Sequence, residues 1–299
     1  MAEAPLSLSS AELTLTIDPG HGAEIRSLIR LAGDIELLVQ TPWPHPEARV
    51  PANGDAWTRR WPGGWQFLTP NAGNACVVGG REHGCHGDAS LLPWQLLEHG
   101  VAHAVLAWRD ISGLAVTRRI AVEGARLVVS NHVANEGSEA QHFLLGEHLV
   151  LGPPLAGPGV HIDAPAAAVV PLDPDGAFAV GPPETWPRIG GADWSCPPDQ
   201  PFTHFGAFEA PRSRHVRVAN ERAAVAATVS WSGDALPHLW FWHEHDAVRL
   251  VDDWPLTCLG IEPATTPRGT GLAEAIEAGD AVLLKPGAAT STETVLTVE

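Results

Sequence analysis

Residues 114–137 read "LAVTRRIAVEGARLVVSNHVANEG" and contain two runs in which the side chains alternate with a period of two. Successive side chains of a β-strand point to opposite faces, so one face of the first run carries Val116, Arg118, Ile120 and Val122. A turn centred on Glu123-Gly124 lets the second run, 126–133, return beside the first. The stretch therefore predicts an antiparallel hairpin.

The same alternation recurs from one end of the chain to the other. "ELTLTID" (12–18) is followed at once by the turn signal Pro19-Gly20. Further strands are predicted for "HFLLGEH", "HVRVAN", "AAVAATVSW", "HLWFWHEH", "AVLLKP" and "ETVLTVE". A helix of about two turns is predicted in "GLAEAIEAGD" (271–280), because a glycine lies near each end. We expect an all-β fold, a large antiparallel β-sandwich that occupies residues 1–299 as one domain.

The composition narrows the classes of partner. The 299 residues carry a formal charge of −17, which disfavours binding to nucleic acid or to an anionic membrane surface. Four widely spaced cysteines without a C-x-x-C pair argue against a zinc ribbon, a dithiol redox motif and a disulfide framework. No signal peptide and no apolar run of about 18 residues is visible, so we expect a cytoplasmic protein.

Tryptophan is unusually frequent, with twelve copies against no tyrosine. The stretch "GDAWTRRWPGGWQFLTPNAG" (54–73) contains Trp57, Trp61 and Trp65 at intervals of four, together with Arg59 and Arg60. Proline and glycine after Trp61 interrupt any helix, so we interpret the stretch as a loop. Indole faces and guanidinium groups suit a sugar site, whereas the structural alternative is a plug at one end of the sandwich.

Two further patches contain histidine. "EHGCHGDASLLPW" (82–94) holds His83 and His86, whose imidazoles either face a cleft or belong to a solvated loop or to the core. "LLGEHLVLG" (144–152) places Glu147 and His148 next to each other at the end of a predicted strand. Neighbouring strand residues point to opposite faces, so one of the two is expected to face inward.

The fourth patch is "LPHLWFWHEHDA" (236–247), which places Trp240 and Trp242 on one face of a strand and His243 and His245 on the other. The H-x-H spacing is one that metal sites use. The acidic residues that would complete such a site fall on the opposite face, so the alternation weighs against it.

The fifth patch is "LTCLGIEPATTP" (256–267), in which Glu262 ends an apolar run without an adjacent cation. Burial would raise its pKa towards the range useful to a general base. The structural alternative is a glutamate at a strand end that points to solvent.

Taken in order, the segments "GGWQFLTPNAG", "HGDASLLPW", "GEHLVLG", "LPHLWFWHE" and "GIEPATTP" resemble the aldose 1-epimerase family, the galactose mutarotase-like enzymes. The resemblance implies a galactose mutarotase-like supersandwich with a sugar site on a concave sheet, and neither a metal nor an organic cofactor. It places the general base at Glu262 and the general acid at His148. The sequence departs from the family pattern at Glu82, His83 and Leu149. These departures indicate a divergent member whose substrate is a sugar other than galactose or glucose.

The resemblance also implies residues that bind the sugar. His86 would form a hydrogen bond with it, Arg59 or Arg60 would hold hydroxyl groups, and Asp193 in "GGADWS" is the candidate for a hydroxyl-binding aspartate. From the aromatic patches we also expect contacts with Trp65 and Trp242.

The predicted function is therefore that of an aldose 1-epimerase, which interconverts the α and β anomers of an aldose by acid–base ring opening and closure. The expected partner is a small sugar, and the expected state is a monomer or homodimer. Two alternatives stay open. One is a carbohydrate-binding sandwich without catalysis, and the other is a metal-dependent β-fold enzyme that uses His243 and His245.

Overall fold

Strands account for most of the regular structure in the computed structural model, which describes residues 4–42, 54–58, 61–249 and 254–299. They form two large antiparallel sheets and three small ribbons. None of the helices in these ranges is long and apolar enough to cross a membrane. The predicted all-β sandwich is confirmed.

The larger sheet has eleven strands, and its centre is formed by segments that are distant in the sequence. The strands run in the order β1 (Leu6–Ser9), β2 (Leu13–Asp18), β3 (Glu24–Arg30), β5 (Trp65–Leu68), β13 (Gly146–Leu151), β23 (Pro255–Ala264), β22 (His238–Arg249), β19 (Phe202–Phe208), β15 (Ala168–Pro171) and β16 (Glu184–Thr185), with β4 (Ile35–Glu36) paired to β3.

The smaller sheet has eight strands and contains the hairpin of residues 114–137. Its order is β14 (His161–Asp163), β20 (His215–Asn220), β21 (Val225–Ser232), β25 (Ala289–Val298), β11 (Arg126–Asn135), β10 (Leu114–Glu123), β9 (His103–Arg109) and β8 (Gln95–His99).

Three ribbons and three short helical elements make up the rest of the regular structure in the described residues. The ribbons pair β6 (Cys76–Val78) with β7 (Arg81–His83), β12 (Gln141–Phe143) with β24 (Val282–Leu284), and β17 (Arg188–Ile189) with β18 (Ala192–Asp193). The helices are α1 (Gly54–Thr58), a 3₁₀ turn at Asp88–Ser90, and α2 (Leu272–Ala278). The helix α2 ends at Gly279, which takes the left-handed conformation that commonly terminates helices, so the predicted two-turn helix is confirmed.

The hairpin pairs as expected, with its turn one residue later than predicted. Glu123 lies opposite Arg126, so the two-residue turn is formed by Gly124 and Ala125. Gly124 has a φ of 63°, a conformation that glycine adopts without steric cost and that tight hairpin turns require.

The core lies between the two sheets. Val116 and Ile120 of the smaller sheet belong to the same apolar cluster as Leu149 and Ile261 of the larger one, and all four side chains are buried. Because strand residues alternate, the side chains between these in β13 and β23 project from the opposite face of the larger sheet. We call that opposite face the site face.

An ion pair lies inside this core. The Arg118 guanidinium donates to both carboxylate oxygens of Glu147, at 3.0 and 3.1 Å, and both side chains are fully buried. Asn131 and Trp65 also donate to Glu147, each at 2.6 Å. A buried ion pair needs such additional hydrogen bonds, because desolvation of two charges is costly.

Candidate active site

The two predicted acid–base residues lie opposite each other on the site face. In the pairing of β13 with β23, Val150 lies opposite Gly260, and the antiparallel register two residues further along places His148 opposite Glu262. Directly opposite residues of an antiparallel pair have Cβ atoms about 5 Å apart. Two chain segments more than one hundred residues apart thus deliver an imidazole and a carboxyl group to one place.

A single row of side chains continues from this pair across the sheet. Gln66 of β5 is paired with His148, and Trp240 of β22 is paired with Glu262. Glu24 of β3 lies beside Gln66, and the Gln66 amide nitrogen donates to its carboxylate at 3.1 Å. The row therefore reaches from Glu24 to Trp240 across five strands.

Alternation along β13 separates the core from the site. Glu147 points inward to Arg118, whereas His148 points to the site face and is only 5% exposed. The prediction that one of these neighbours faces inward is confirmed, and the inward residue is the glutamate.

Hydrogen bonds orient the His148 ring. Its Nδ1 lies 3.1 Å from the Gln66 side-chain oxygen. The same oxygen accepts the indole N–H of Trp61 at 3.1 Å. The ring is therefore held from the side of β5, and its Nε2 has no hydrogen-bond partner among the described residues.

Two tryptophans cover the imidazole. The rings of Trp57 and Trp61 are stacked with centroids 6.2 Å apart. Their centroids lie 5.2 and 5.5 Å from the centroid of the His148 ring, in edge-to-face geometry. Trp61 also contacts Trp242 at 5.9 Å. Both covering indoles are at least 95% buried, so they exclude water from one side of the site.

His86 approaches the same cluster from a loop. Its ring lies 4.5 Å from Trp57 and 5.5 Å from His148, measured between centroids. The backbone of His86 has a φ of 60°, and its N–H donates to the Gly73 carbonyl at 2.9 Å. The Gly73 N–H in turn donates to Nδ1 of the ring at 3.2 Å, so the neutral ring carries its proton on Nε2.

The Glu262 carboxyl lies over a glycine. A Cβ atom at Gly260 would overlap its Oε1, so only glycine leaves the space that the carboxyl occupies. Glu262 is 4% exposed and, among the described residues, has neither a hydrogen bond nor an ion pair. Trp242 stands beside Gly260 on the neighbouring strand and stacks on Phe205 at 6.3 Å.

Burial sets the protonation of the site. It raises the pKa of Glu262 well above the usual range of a glutamate. It lowers the pKa of His148 well below 6.5, with a further contribution from His86, and lowers the pKa of His86 to about 4. These directions favour uncharged side chains: a carboxylic acid at Glu262 and a neutral imidazole at His148.

The sequence matches a known protein family over nearly its whole length. A family model described as "Domain of unknown function (DUF4432)" matches residues 10–298. The chain belongs to the DUF4432 family. No curated protein matches the sequence.

Solved structures show which fold this DUF4432 protein has. It is similar to the Slr1438 protein from Synechocystis sp. PCC 6803, with 18% identity over 100% of this chain and 97% of that one, and a TM-score of 0.73. A "putative aldose 1-epimerase" from Escherichia coli K12 has 20% identity, 99% coverage of both chains and a TM-score of 0.72. A galactose mutarotase-like protein from Lactobacillus casei ATCC 334 has 14% identity, coverage of 99% and 100%, and a TM-score of 0.68. The fold is galactose mutarotase-like, as the sequence resemblance implied.

The structure corrects one predicted sugar contact. Trp65 lies on β5 with its side chain in the core, fully buried, and its indole N–H donates to Glu147. The stretch from Trp65 to Leu68 is a strand rather than a loop, so alternation directs Gln66 to the site face and Trp65 away from it. Trp65 therefore supports the core beneath the site and cannot stack on a sugar there.

Asp193, the predicted hydroxyl-binding aspartate, does not belong to the row of side chains from Glu24 to Trp240. Its carboxylate accepts the backbone N–H and the hydroxyl of Ser195, and these bonds lower its pKa. The neighbouring Trp194 stacks on His204 on the core side of the larger sheet. Within the described ranges, no hydrogen bond or ion pair joins Asp193 to His148 or Glu262. Arg59 and Arg60 lie outside the described residues.

The alternative metal pair is also resolved by geometry. His243 is fully buried on the core side, and its Nε2 accepts the Gly157 N–H at 2.9 Å. His245 Nδ1 is hydrogen-bonded to Thr257 at 3.0 Å. The part of the chain that the structure describes contains no group of three or more histidine, cysteine, aspartate or glutamate side chains that could hold a metal ion. Among the described residues, His243 and His245 therefore serve as hydrogen-bond partners of Gly157 and Thr257.

Two residues of the row were not predicted. Gln66 and Glu24 carry no motif of their own, and their importance follows from the register of β3, β5 and β13. The alternation in "GGWQF" (63–67) was the available signal for Gln66, since a strand there places it on the face opposite Trp65.

Proposed function

We propose that this protein is an isomerase that interconverts the α and β anomers of an aldose. The observation that carries the proposal is the pair of His148 and Glu262, opposite each other on adjacent strands, with His148 covered by tryptophans. The galactose mutarotase-like fold and the structural similarity to a protein named "putative aldose 1-epimerase" support it.

The chemistry needs two proton transfers. To open the sugar ring, one group takes the proton of the anomeric hydroxyl while another gives a proton to the ring oxygen, and the bond between the anomeric carbon and the ring oxygen breaks. Rotation about the adjacent carbon–carbon bond and closure on the other face give the second anomer. Each well-placed acid or base typically contributes about 10²- to 10⁴-fold.

His148 and Glu262 together hold the transferable proton. In the ligand-free site, burial raises the pKa of Glu262 and lowers that of His148, which favours the proton on Glu262 and a neutral His148. From this form Glu262 donates and His148 accepts as the ring opens, which leaves a carboxylate and an imidazolium. Ring closure then uses Glu262 as base and His148 as acid, whereas the family resemblance gives Glu262 the base role and His148 the acid role in ring opening. The pair therefore returns to its starting protonation after each interconversion.

The remaining side chains bind the sugar in this proposal. His86 presents an Nε2–H donor, because its Nδ1 accepts from Gly73. Trp242, partly exposed beside Gly260, offers an apolar face for a pyranose ring. The buried Trp57 and Trp61 keep water from one side of His148.

Polarimetry of freshly dissolved α-anomers of several aldoses tests the proposal. The wild-type protein is expected to accelerate the change in rotation for at least one sugar. Glu262→Gln and His148→Asn are expected to lower the rate at least about 10²-fold while leaving the fold intact. Glu277→Gln and His161→Asn alter exposed residues and serve as matched controls.

Each outcome has a clear meaning. Sugar binding by calorimetry without acceleration would favour a carbohydrate-binding sandwich, for which the tryptophans alone suffice. Normal turnover in Glu262→Gln or His148→Asn would show that the acid and base are other residues.

A further inference from the structure

Gln66 stands between the acid–base histidine and a buried carboxylate, and its amide contacts four groups. The side-chain oxygen faces Trp61 and His148, and the side-chain nitrogen faces Glu24 and the Gly63 carbonyl. Gln66 is 1% exposed, so all four contacts are made within the protein.

Two of these neighbours identify the oxygen and the nitrogen of the Gln66 side-chain amide. An indole N–H only donates, so the atom 3.1 Å from Trp61 Nε1 must be the amide oxygen. A backbone carbonyl only accepts, so the atom 2.5 Å from the Gly63 oxygen must be the amide nitrogen. A flipped amide would place two donors or two acceptors together at both ends, so the orientation follows from chemistry.

The orientation of Gln66 determines the tautomer of His148. The Gln66 oxygen has no proton to give, so the Nδ1 atom 3.1 Å from it must carry one. In the neutral imidazole the other nitrogen, Nε2, then has the free lone pair. His86 is held in the opposite tautomer, because its Nδ1 accepts the Gly73 N–H and its proton is on Nε2.

We propose that Gln66 is a positioning residue that holds His148 in the Nδ1–H tautomer and so makes Nε2 its proton-exchanging atom. The Glu24 carboxylate accepts from the amide nitrogen and so keeps the Gln66 side chain in this orientation. Oε2 of Glu24 also lies 3.3 Å from Nδ1 of His21. Without Gln66 the His148 ring is free to take the Nε2–H tautomer, which isolated imidazole side chains favour. That tautomer cannot accept a proton at Nε2.

This inference rests on the proposed function for its catalytic meaning, but its first test does not require activity. Nitrogen-15 NMR of protein labelled at histidine distinguishes a ring nitrogen that carries a proton from one that does not. At pH 7.5 the wild-type spectrum is expected to show His148 as Nδ1–H and His86 as Nε2–H, with His148→Asn and His86→Asn used to assign the signals. A wild-type His148 in the Nε2–H form would overturn the proposal.

Gln66→Leu removes the amide and preserves most of the volume. We expect the His148 signals to change to the Nε2–H form while those of His86 stay as they are. If both histidines kept their tautomers in Gln66→Leu, Gln66 would not be the residue that sets them. Gln66→Glu keeps an oxygen towards Nδ1 and Trp61, and its other oxygen, which faces Glu24 and the Gly63 carbonyl, is expected to carry a proton and donate in place of the amide, so the Nδ1–H form is expected to persist there. Loss of that form in Gln66→Glu would likewise contradict the proposal.

Kinetics give the second test. With a sugar that the wild type turns over, Gln66→Leu is expected to lower kcat at least about tenfold and to change KM by less than about threefold, since it alters a proton transfer and not a sugar contact. Recovery of at least part of kcat in Gln66→Glu is expected as well. An inactive wild type would refute the proposed function while leaving the tautomer result valid. An unchanged kcat in Gln66→Leu would refute the positioning role alone.

Discussion

Arg118 of the smaller sheet and Glu147 of the larger one form a bidentate ion pair across the core, and Glu147 immediately precedes His148 in the chain. Removal of one partner leaves a buried charge without compensation, which typically costs about 3–5 kcal/mol. Arg118→Met is therefore expected to lower the free energy of unfolding by about that amount in urea titrations. The double variant Arg118→Met, Glu147→Leu is expected to recover at least half of the loss.

The matched control is Arg126→Met, because Arg126 pairs with Glu123 at 3.8 Å on the surface with both side chains half exposed. Exposed pairs contribute about 0–1 kcal/mol, so this variant should unfold almost like the wild type. Equal losses in Arg118→Met and Arg126→Met would show that the core pair contributes no more than a surface one.

Gly260→Ala tests the position of the Glu262 carboxyl. The added methyl group would overlap Oε1 of Glu262, and the flexible carboxyl would shift while the strand stays in place. Displacement by about 1 Å is enough to impair proton transfer, so we expect at least about a tenfold fall in kcat/KM with little change in stability. Gly54→Ala, where a Cβ would have no atom within 4 Å, is the control. Full activity in Gly260→Ala would place the working carboxyl elsewhere.

Trp242→Ala tests sugar stacking. Trp242 is a partly exposed indole beside Gly260, and loss of an aromatic face costs about 0.5–1.5 kcal/mol beyond the buried area. We expect KM to rise several-fold or more, with a smaller change in kcat. Trp254→Ala removes an indole that is 40% exposed and is expected to leave both constants as they are. The prediction fails if the two variants behave alike.

Buried neutral histidines predict how stability depends on pH. Burial lowers the pKa of His204 to about 4 and that of His243 to about 3, whereas an unfolded histidine titrates near 6.5. Between these values the unfolded chain binds protons that the folded chain does not. The contribution of the two neutral histidines to the free energy of unfolding is therefore fully present above about pH 6.5 and is lost as pH decreases towards 4.

His204→Phe keeps the stack on Trp194, whose ring plane lies within 9° of the His204 ring, and removes one titrating group. Between pH 5.5 and 4.5 its unfolding free energy is expected to fall about 1 kcal/mol less than that of the wild type. Urea titrations at both pH values measure the difference, and His161→Phe, at an exposed position, is the control. Parallel curves for wild type and His204→Phe would mean that His204 is charged in the folded protein.

The hairpin of residues 114–137 could be predicted because its pattern is local. Alternation also placed Arg118 on the same face as Val116 and Ile120, and that face is the buried one. The partner of Arg118 could not be predicted, because Glu147 reaches it from the opposite sheet and no spacing in the sequence encodes that contact.

The sequence indicated His148 and Glu262 as candidate acid–base residues because an imidazole and a carboxyl group can both transfer protons. Placements that depend on strand register could not be predicted. Both faces of β13 are buried, so hydrophobicity could not decide which of Glu147 and His148 faces the core. Trp65 was wrongly given to the sugar because its stretch was interpreted as a loop, and the same error hid Gln66.

The stacked pair of Trp57 and Trp61 over His148 provides an optical probe of the site. The chain has no tyrosine, so its ultraviolet emission comes almost entirely from indole. A neutral imidazole and its charged form quench a neighbouring indole to different extents, and a bound sugar changes the polarity around Trp242. Proton uptake by His148 and occupancy of the site should therefore register as changes in intrinsic fluorescence, without any label and on the timescale of stopped-flow mixing.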